Sequence, residues 1–521
     1  MKFRQYLILY LVALLFFIFI GLFQTTPGYM DASYYYVTGQ QLAIGKGAIE
    51  PFLWNYLNDP QQIPTAAFTY WMPVSAFLAA FGMWLLRSVS FLSARLFFFL
   101  FAAIIPVLTV IFASRYSANR VNLILAAIFS ILCGAYLPYL TITETFLPFF
   151  ILGAIYLLIV WAIFEKSDKR VESKWSFALL GIVTGLMHLT RADGILWLLG
   201  GLVLLFFQAR KNKELTLVNL LFFLFGYLII MAGWFIRNLV LLGTLFPSGS
   251  SLAVWFTSYN DLFMYPASEL TPSHLWSAGL GKILKTRAIV GLLNLKNLVG
   301  VVANIVLLPF MCIGLWKTRK THITKFVLFL VVMLFCLMTF VFPYAGFRGG
   351  FFHSMSAFQI FFWAIAIVGL DVTVQWSVVK LKWVESKSRI LFAVALTLGI
   401  GAMSAIAYMQ KIGLNKEWNV QSETFKTVDE ELQMISDNND FSVMVNDSPS
   451  YYAATGREAI QLSSGSPESI RVLMRRFGIK YLIINKDCPD SIKSMVDEPG
   501  DQFGFTFINQ VVAGYYVYTQ E

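Results

Sequence analysis

The sequence predicts a mainly α-helical, polytopic membrane protein of about eleven transmembrane helices, with a small extracytoplasmic α/β domain at its C-terminal end. Three observations predict it. Of its 521 residues, 58% are hydrophobic and only 13% charged, where an ordinary soluble domain has roughly 25% charged residues. Apolar runs of the length that crosses a hydrocarbon core, about 17–25 residues, recur along the chain. From Met409 onward those runs stop, and short strand and helix patterns replace them.

The runs lie near residues 6–23, 94–113, 121–138, 146–164, 175–190, 195–207, 217–236, 297–316, 324–342, 355–378 and 390–408. The first is too long for a signal-peptide core, and no small-residue cleavage site follows it, so it reads as a retained helix. A twelfth apolar stretch, Tyr70–Leu86, is placed by loop charge. Lys and Arg cluster at Arg115/Arg120, Lys166–Lys174, Arg210–Lys213, Lys317–Lys325 and Lys380–Arg389. If Tyr70–Leu86 lies in the interface, every cluster falls on the same side as Lys2 and Arg4. The excess of cations in cytoplasmic loops then puts the N-terminus inside and the C-terminus outside. The expected location is a bacterial plasma membrane.

This topology sends the long loop 24–93, the 140–145 turn, the 191–193 turn, the 237–295 loop, the 342–354 loop and the whole tail outward. The organisation expected is a membrane domain over 1–408 and an α/β domain over 409–521. In the tail, Phe441–Val445, Lys480–Ile484 and Val511–Tyr518 read as strands. Ser466-Pro467-Glu468 starts a helix that Gly478 ends. The net charge of +10 resides in the membrane part, since the tail holds more acids than bases, and gives no argument for nucleic acid. Four cysteines form no disulfide framework.

Candidate chemistry sits in the outward segments. Asp31, in Pro27-Gly28-Tyr29-Met30-Asp31-Ala32-Ser33, directly follows the first span, and an ionisable group at a membrane boundary is a functional candidate. A solvated loop acid is the competing reading. Glu144, in Thr141-Ile142-Thr143-Glu144-Thr145, is the second acid, with a helix-start carboxylate as its alternative. Arg191 and Asp193 form either a local ion pair or part of a phosphate site. Arg237, beside Asn238, is a phosphate candidate or an interface arginine. Arg348 and His353 flank Gly349-Gly350, whose bareness lets backbone approach a ligand. No metal motif or nucleotide-phosphate loop occurs. The first loop's Tyr34–Tyr36, Trp54, Tyr56, Tyr70 and Trp71 suit either sugar stacking or an interface belt.

A sugar donor used outside a membrane must be carried on a lipid. Its leaving phosphate needs no proton, so the reaction asks for one base and cations for the departing phosphate. The outward acids and arginines supply that set. The motifs around Asp31, Ser93-Ala-Arg95-Leu, Thr143-Glu144-Thr-Phe-Leu-Pro, Arg191-Ala-Asp-Gly and Trp234-Phe-Ile-Arg237-Asn resemble, in order and spacing, the GT-C superfamily of integral-membrane glycosyltransferases. The bacterial relatives of protein O-mannosyltransferases and aminoarabinose transferases are the nearest in pattern.

The resemblance implies an inverting hexosyl or pentosyl glycosyltransferase that moves a sugar from a polyprenyl-phosphate donor to a glycan, lipid or protein acceptor. Asp31 would be its base, and Glu144 would help bind acceptor or a divalent cation. Asp31 is followed by Ala32 where many members pair two acids, so the cofactor is a divalent cation or none. A lipid-linked-glycan transporter or flippase is the alternative, and a non-catalytic scaffold the third reading.

Overall fold

The computed structural model describes residues 2–168, 174–209, 213–413, 417–436, 440–512 and 514–520, and the basic turns expected at Lys166–Lys174 and Arg210–Lys213 fall partly outside them. Among the described residues, eight helices are long and apolar enough to cross a membrane. They correspond to the runs at 6–23, 94–113, 146–164, 195–207, 217–236, 324–342, 355–378 and 390–408.

The other three runs fold as shorter helices. Lys174–Thr190 has 17 residues. Arg120–Leu132 ends at Cys133, which adopts φ 55°, and a 3-10 turn over Gly134–Tyr139 follows. The run 297–316 is broken: helix Leu280–Asn297 winds into a π turn, Asn304 and Ile305 take positive φ, and helix resumes at Leu308–Thr318. Irregular backbone at membrane depth is tolerated where protein covers it, and Asn304 is fully buried. Composition stays apolar through the break, so the sequence pattern hides it.

Tyr70–Leu86 contains the helix Val74–Leu86, 13 residues, or about 20 Å at 1.5 Å per residue. That falls short of a hydrocarbon core of about 30 Å. Its buried Ala76, Ala79 and Met83 face a helix the sequence reading did not anticipate, Met30–Ala43, which carries Asp31 in its first turn. Gly39 makes the close approach possible, since a Cβ there would lie 2.9 Å from that of Ala79.

The aromatic residues of the first loop serve neither sugar stacking nor a belt at most positions. Tyr34, Phe52, Trp54 and Phe68 are buried in the loop's own core, with Trp54 stacked on Trp71 at 3.8 Å. A short hairpin of β1 (Ile49–Glu50) and β2 (Thr65–Ala66) ties it together.

In the tail, helix Glu417–Ile435 leads to a sheet of β3 (Val443–Val445), β4 (Ala459–Gln461), β5 (Tyr481–Ile484), β6 (Phe505–Gln510) and β7 (Tyr516–Gln520), in the order β4-β3-β5-β7-β6. β3, β4 and β5 are mutually parallel, and β7 is antiparallel to both β5 and β6. Ser466 caps helix Pro467–Phe477 and Gly478 closes it in a left-handed conformation. β6 was not foreseen from the sequence.

The open edge of β4 is covered by the first loop. Leu53 N–H donates to the Ala459 carbonyl at 3.0 Å, and Gln461 N–H donates to the Leu53 carbonyl at 2.7 Å, which removes an exposed strand edge. A second seam joins residues 25–28 to the tail's first helix. Trp418 Nε1 donates to Thr26 O at 3.0 Å, and Asn419 Oδ1 accepts from the Thr25 and Thr26 amides.

Gly28 sits in this seam at φ +90°, where a Cβ would lie 2.2 Å from the Trp418 ring. Gly28→Ala is therefore expected to cost about 2 kcal/mol or more, by positive-φ strain together with overpacking. A lowered unfolding midpoint and faster proteolytic release of the tail would register it; an unchanged midpoint would mean that the seam is slack.

Candidate active site

The loops expected to face outward meet at one end of the helical bundle and enclose, with the tail, a cavity of about 980 Å³. Asp31, Arg348 and His353 line it. So do Tyr29, Tyr139, Tyr259 and the tail residues Trp418, Asn446 and Asp447. The opposite end holds basic turns, where Arg115 pairs with Glu165 at 2.9 Å and Arg389 with Asp371.

Asp31 is half-buried at the start of its helix. The chain there is pinned on two sides: Thr143 Oγ1 donates to the Ala32 carbonyl at 2.7 Å, and Ser33 Oγ lies 2.9 Å from Ser450 Oγ of the tail. Glu144 is 1% exposed and accepts from the amides of Thr145 and Phe146 at the start of helix Phe146–Asp168. The helix-start reading of Glu144 thus describes its local bonding, and the same carboxylate also faces His353, whose Nδ1 lies 3.6 Å from Glu144 Oε1. The imidazole stacks on Phe146 at 3.8 Å.

The ligand atoms of Asp31, Glu144 and His353 all lie within 4.8 Å of one another. Two carboxylates and an imidazole suit a divalent cation. Bonds of about 2.0–2.6 Å to one ion reach opposed ligand atoms about 4–5 Å apart, so the trio fits such an ion.

Burial sets the two acids apart. It pushes the Asp31 carboxyl up to about 6, against the pull of Arg348 and Arg191. It pushes Glu144 up to about 8, with Asp31 adding to the rise and Arg191 opposing it. Both carboxyls are thus raised by burial, and Asp31, which lines the cavity, is the member placed to take a proton from a ligand there.

The arginines separate into three settings. Arg348 lies over the Tyr259 ring at 3.0 Å and donates to the Tyr259 carbonyl at 2.8 Å, while its buried Nε finds no acceptor among the described residues. Burial brings this guanidinium down to about 10. Arg191 stands behind Glu144, held by Asp193 at 2.9 Å and Thr145 Oγ1 at 3.3 Å, so the local ion pair is formed, and Arg191 is not among the cavity-lining residues. Arg237 does not line the cavity either. It donates to the carbonyls of Ala67 and Phe68 and lies 4.7 Å from the Trp234 ring, bracing the first loop.

Sequence reasoning missed the tail's share of the site. Asp447 accepts from Ser450 N at 3.1 Å and Gln421 Nε2 at 3.1 Å, and burial raises it to about 6. Asp447-Ser448-Pro449 does carry a helix-start signal, but nothing local to it points to the cavity.

The fold is shared with solved structures of an oligosaccharyltransferase, ArnT and an arabinofuranosyltransferase. The whole chain superposes on 75% of an oligosaccharyltransferase from Archaeoglobus fulgidus, with TM-score 0.59 and 12% identity. Over 99% of its length it superposes on 98% of ArnT from Cupriavidus metallidurans, with TM-score 0.55 and 12% identity. The arabinofuranosyltransferase AftD from Mycobacteria follows at TM-score 0.51 and 12% identity, with 42% of that longer chain covered by all of this one. No protein-family model and no curated protein matches the sequence.

Proposed function

We propose that the protein is a membrane glycosyltransferase that moves a hexosyl or pentosyl group from a polyprenyl-phosphate donor to an extracytoplasmic glycan, lipid or protein, with inversion. The observation that carries this is the cluster of Asp31, Glu144 and His353, in which Glu144 is buried while Asp31 and His353 line a cavity that also contains Arg348. Support comes from two structural neighbours, one solved with a dolichol-phosphate and the other with undecaprenyl phosphate.

An acceptor hydroxyl attacks the anomeric carbon in line. Asp31 takes the hydroxyl proton, the bond from anomeric carbon to phosphate oxygen breaks, and the electron pair leaves with the lipid phosphate. Arg348, with its unsatisfied Nε–H, holds that phosphate. Arg191 and Thr145 hold the Glu144 side of the pocket, and Arg237 fixes the loop from which Asp31 projects. A divalent cation on Asp31, Glu144 and His353 supplies further positive charge when bound.

The test is to incubate purified protein with polyprenyl-phosphate sugars radiolabelled in the sugar, together with candidate acceptors. The label should leave the lipid phase only when an acceptor is present. Translocation of intact donor across vesicles without cleavage would instead favour the transporter reading. Chelation should slow transfer about tenfold or more, with Mn²⁺ or Mg²⁺ restoring it, and an unchanged rate would remove the cation.

The orientation proposed is N-terminus cytoplasmic and C-terminus extracytoplasmic. A phosphatase reporter fused after residue 520 should be active, and one inserted at residues 317–320 inactive; the reverse pattern would invert the topology.

A further inference from the structure

More than half of the cavity wall comes from the tail, part of it from helix Glu417–Ile435 and most of the rest from one end of the tail's sheet. Three parallel strands, β4, β3 and β5, end at this wall: Asn446 and Asp447 follow β3, Gln461 closes β4, and Asn485, Lys486 and Asp487 follow β5. The chain leaves the central strand β3 for β4 on one side and then crosses to β5 on the other. In open α/β sheets, ligands bind outside the carboxyl ends of the strands, where successive connections part in this way. Here that crevice opens onto the cavity that holds Asp31.

The crevice has a definite chemistry. Asn446 Nδ2 donates to Asn485 Oδ1 at 2.9 Å, and the Asp487 amide donates to the same oxygen at 3.0 Å, while the Asn485 side chain also hydrogen-bonds to the Tyr515 hydroxyl, so these polar groups are held in one fixed array. Lys486 and Asp487 are exposed, and Tyr515 adds an aromatic wall. On the tail's side of the cavity Asp447 and Asp487 are matched by Lys411 and Lys486, so no net positive charge gathers there for a phosphate or another anion. Amide groups that donate and accept and carboxylates that accept, beside an aromatic ring, match the hydroxyl array and apolar face of a sugar.

We propose that this crevice is the acceptor subsite and that the acceptor it takes is an uncharged saccharide, bound through Asn446, Asn485 and Asp487. This rests on the transferase reading above and narrows its acceptor from glycan, lipid or protein to a glycan chain or a glycan-bearing lipid. The tail then selects the acceptor while the membrane part holds the donor. Hydrogen bonds tie the tail to the first loop, since Leu53 bridges to β4 and Ser33 meets Ser450, so acceptor crevice and base are set in one register.

The experiment is binding of the labelled full-length protein, in detergent and without donor, to an array of neutral oligosaccharides and unstructured peptides. Wild-type protein should bind a subset of the saccharides. Asp487→Ala, at an exposed position that leaves packing intact, and Asn485→Ala should each weaken that binding about tenfold, the effect of losing one or two good hydrogen bonds. Binding only to peptides, binding to nothing, or equal binding by both variants would overturn the proposal. Because no donor is present, these outcomes are separate from a failure of donor cleavage, which would overturn the transferase reading instead.

Discussion

Asp31→Asn abolishes sugar transfer while the protein still folds and inserts. The substitution keeps size and shape and removes the negative charge, and with it the proton acceptor and an anionic ligand of the candidate cation site. Positioned general bases contribute about 10²–10⁴ in rate; of the neighbouring groups, Asp447 is held by Ser450 and Gln421, Glu144 is buried against the start of its helix, and the Arg348 guanidinium cannot act as a base. The expected result is a fall in kcat of at least about a hundredfold, with an unfolding midpoint equal to or above that of wild type, since a half-buried charge has been removed. Transfer at wild-type rate by Asp31→Asn would end the assignment of Asp31 as base.

Arg348→Ala is expected to lower kcat by about 10²–10³, the typical cost of removing one donor aimed at developing negative charge. The side chain is stacked on Tyr259 and near Phe263, at 3.0 and 4.9 Å, so its planar fork is held in place before the donor arrives. Arg348→Lys should recover only part of the loss, because an ammonium has neither the fork nor the stacking face. Arg237→Ala supplies the contrast. It loses the brace on Ala67 and Phe68 and should lower the unfolding midpoint before it affects the affinity for donor.

How much of this was readable from the chain depends on how local each cause is. The spans were legible because an apolar run of sufficient length has one stable fate in a bilayer. The run 297–316 was misread because its break depends on the positive φ of Asn304 and Ile305 and on burial by neighbouring helices, which composition does not encode. Asp31 and Glu144 stood out because acids are costly at membrane boundaries. Their approach to His353 is a long-range event, and only the fold could bring it about.

The arginines teach the same lesson. All of those singled out lay in outward segments, yet only Arg348 lines the cavity, while Arg191 is claimed by Asp193 and Arg237 by the backbone of the first loop. The tail's contribution was the least visible. Asn485 and Asp487 look like ordinary turn residues until β5 is seen to end beside β3.

The most direct measurement is the anomeric configuration of the first product, read by NMR from a reaction of purified protein with a lipid-phosphate sugar of known configuration. Inversion is predicted, because Asp31 takes a proton and never bonds to the sugar. Retention would contradict this account, since a single in-line displacement with Asp31 as base cannot give it.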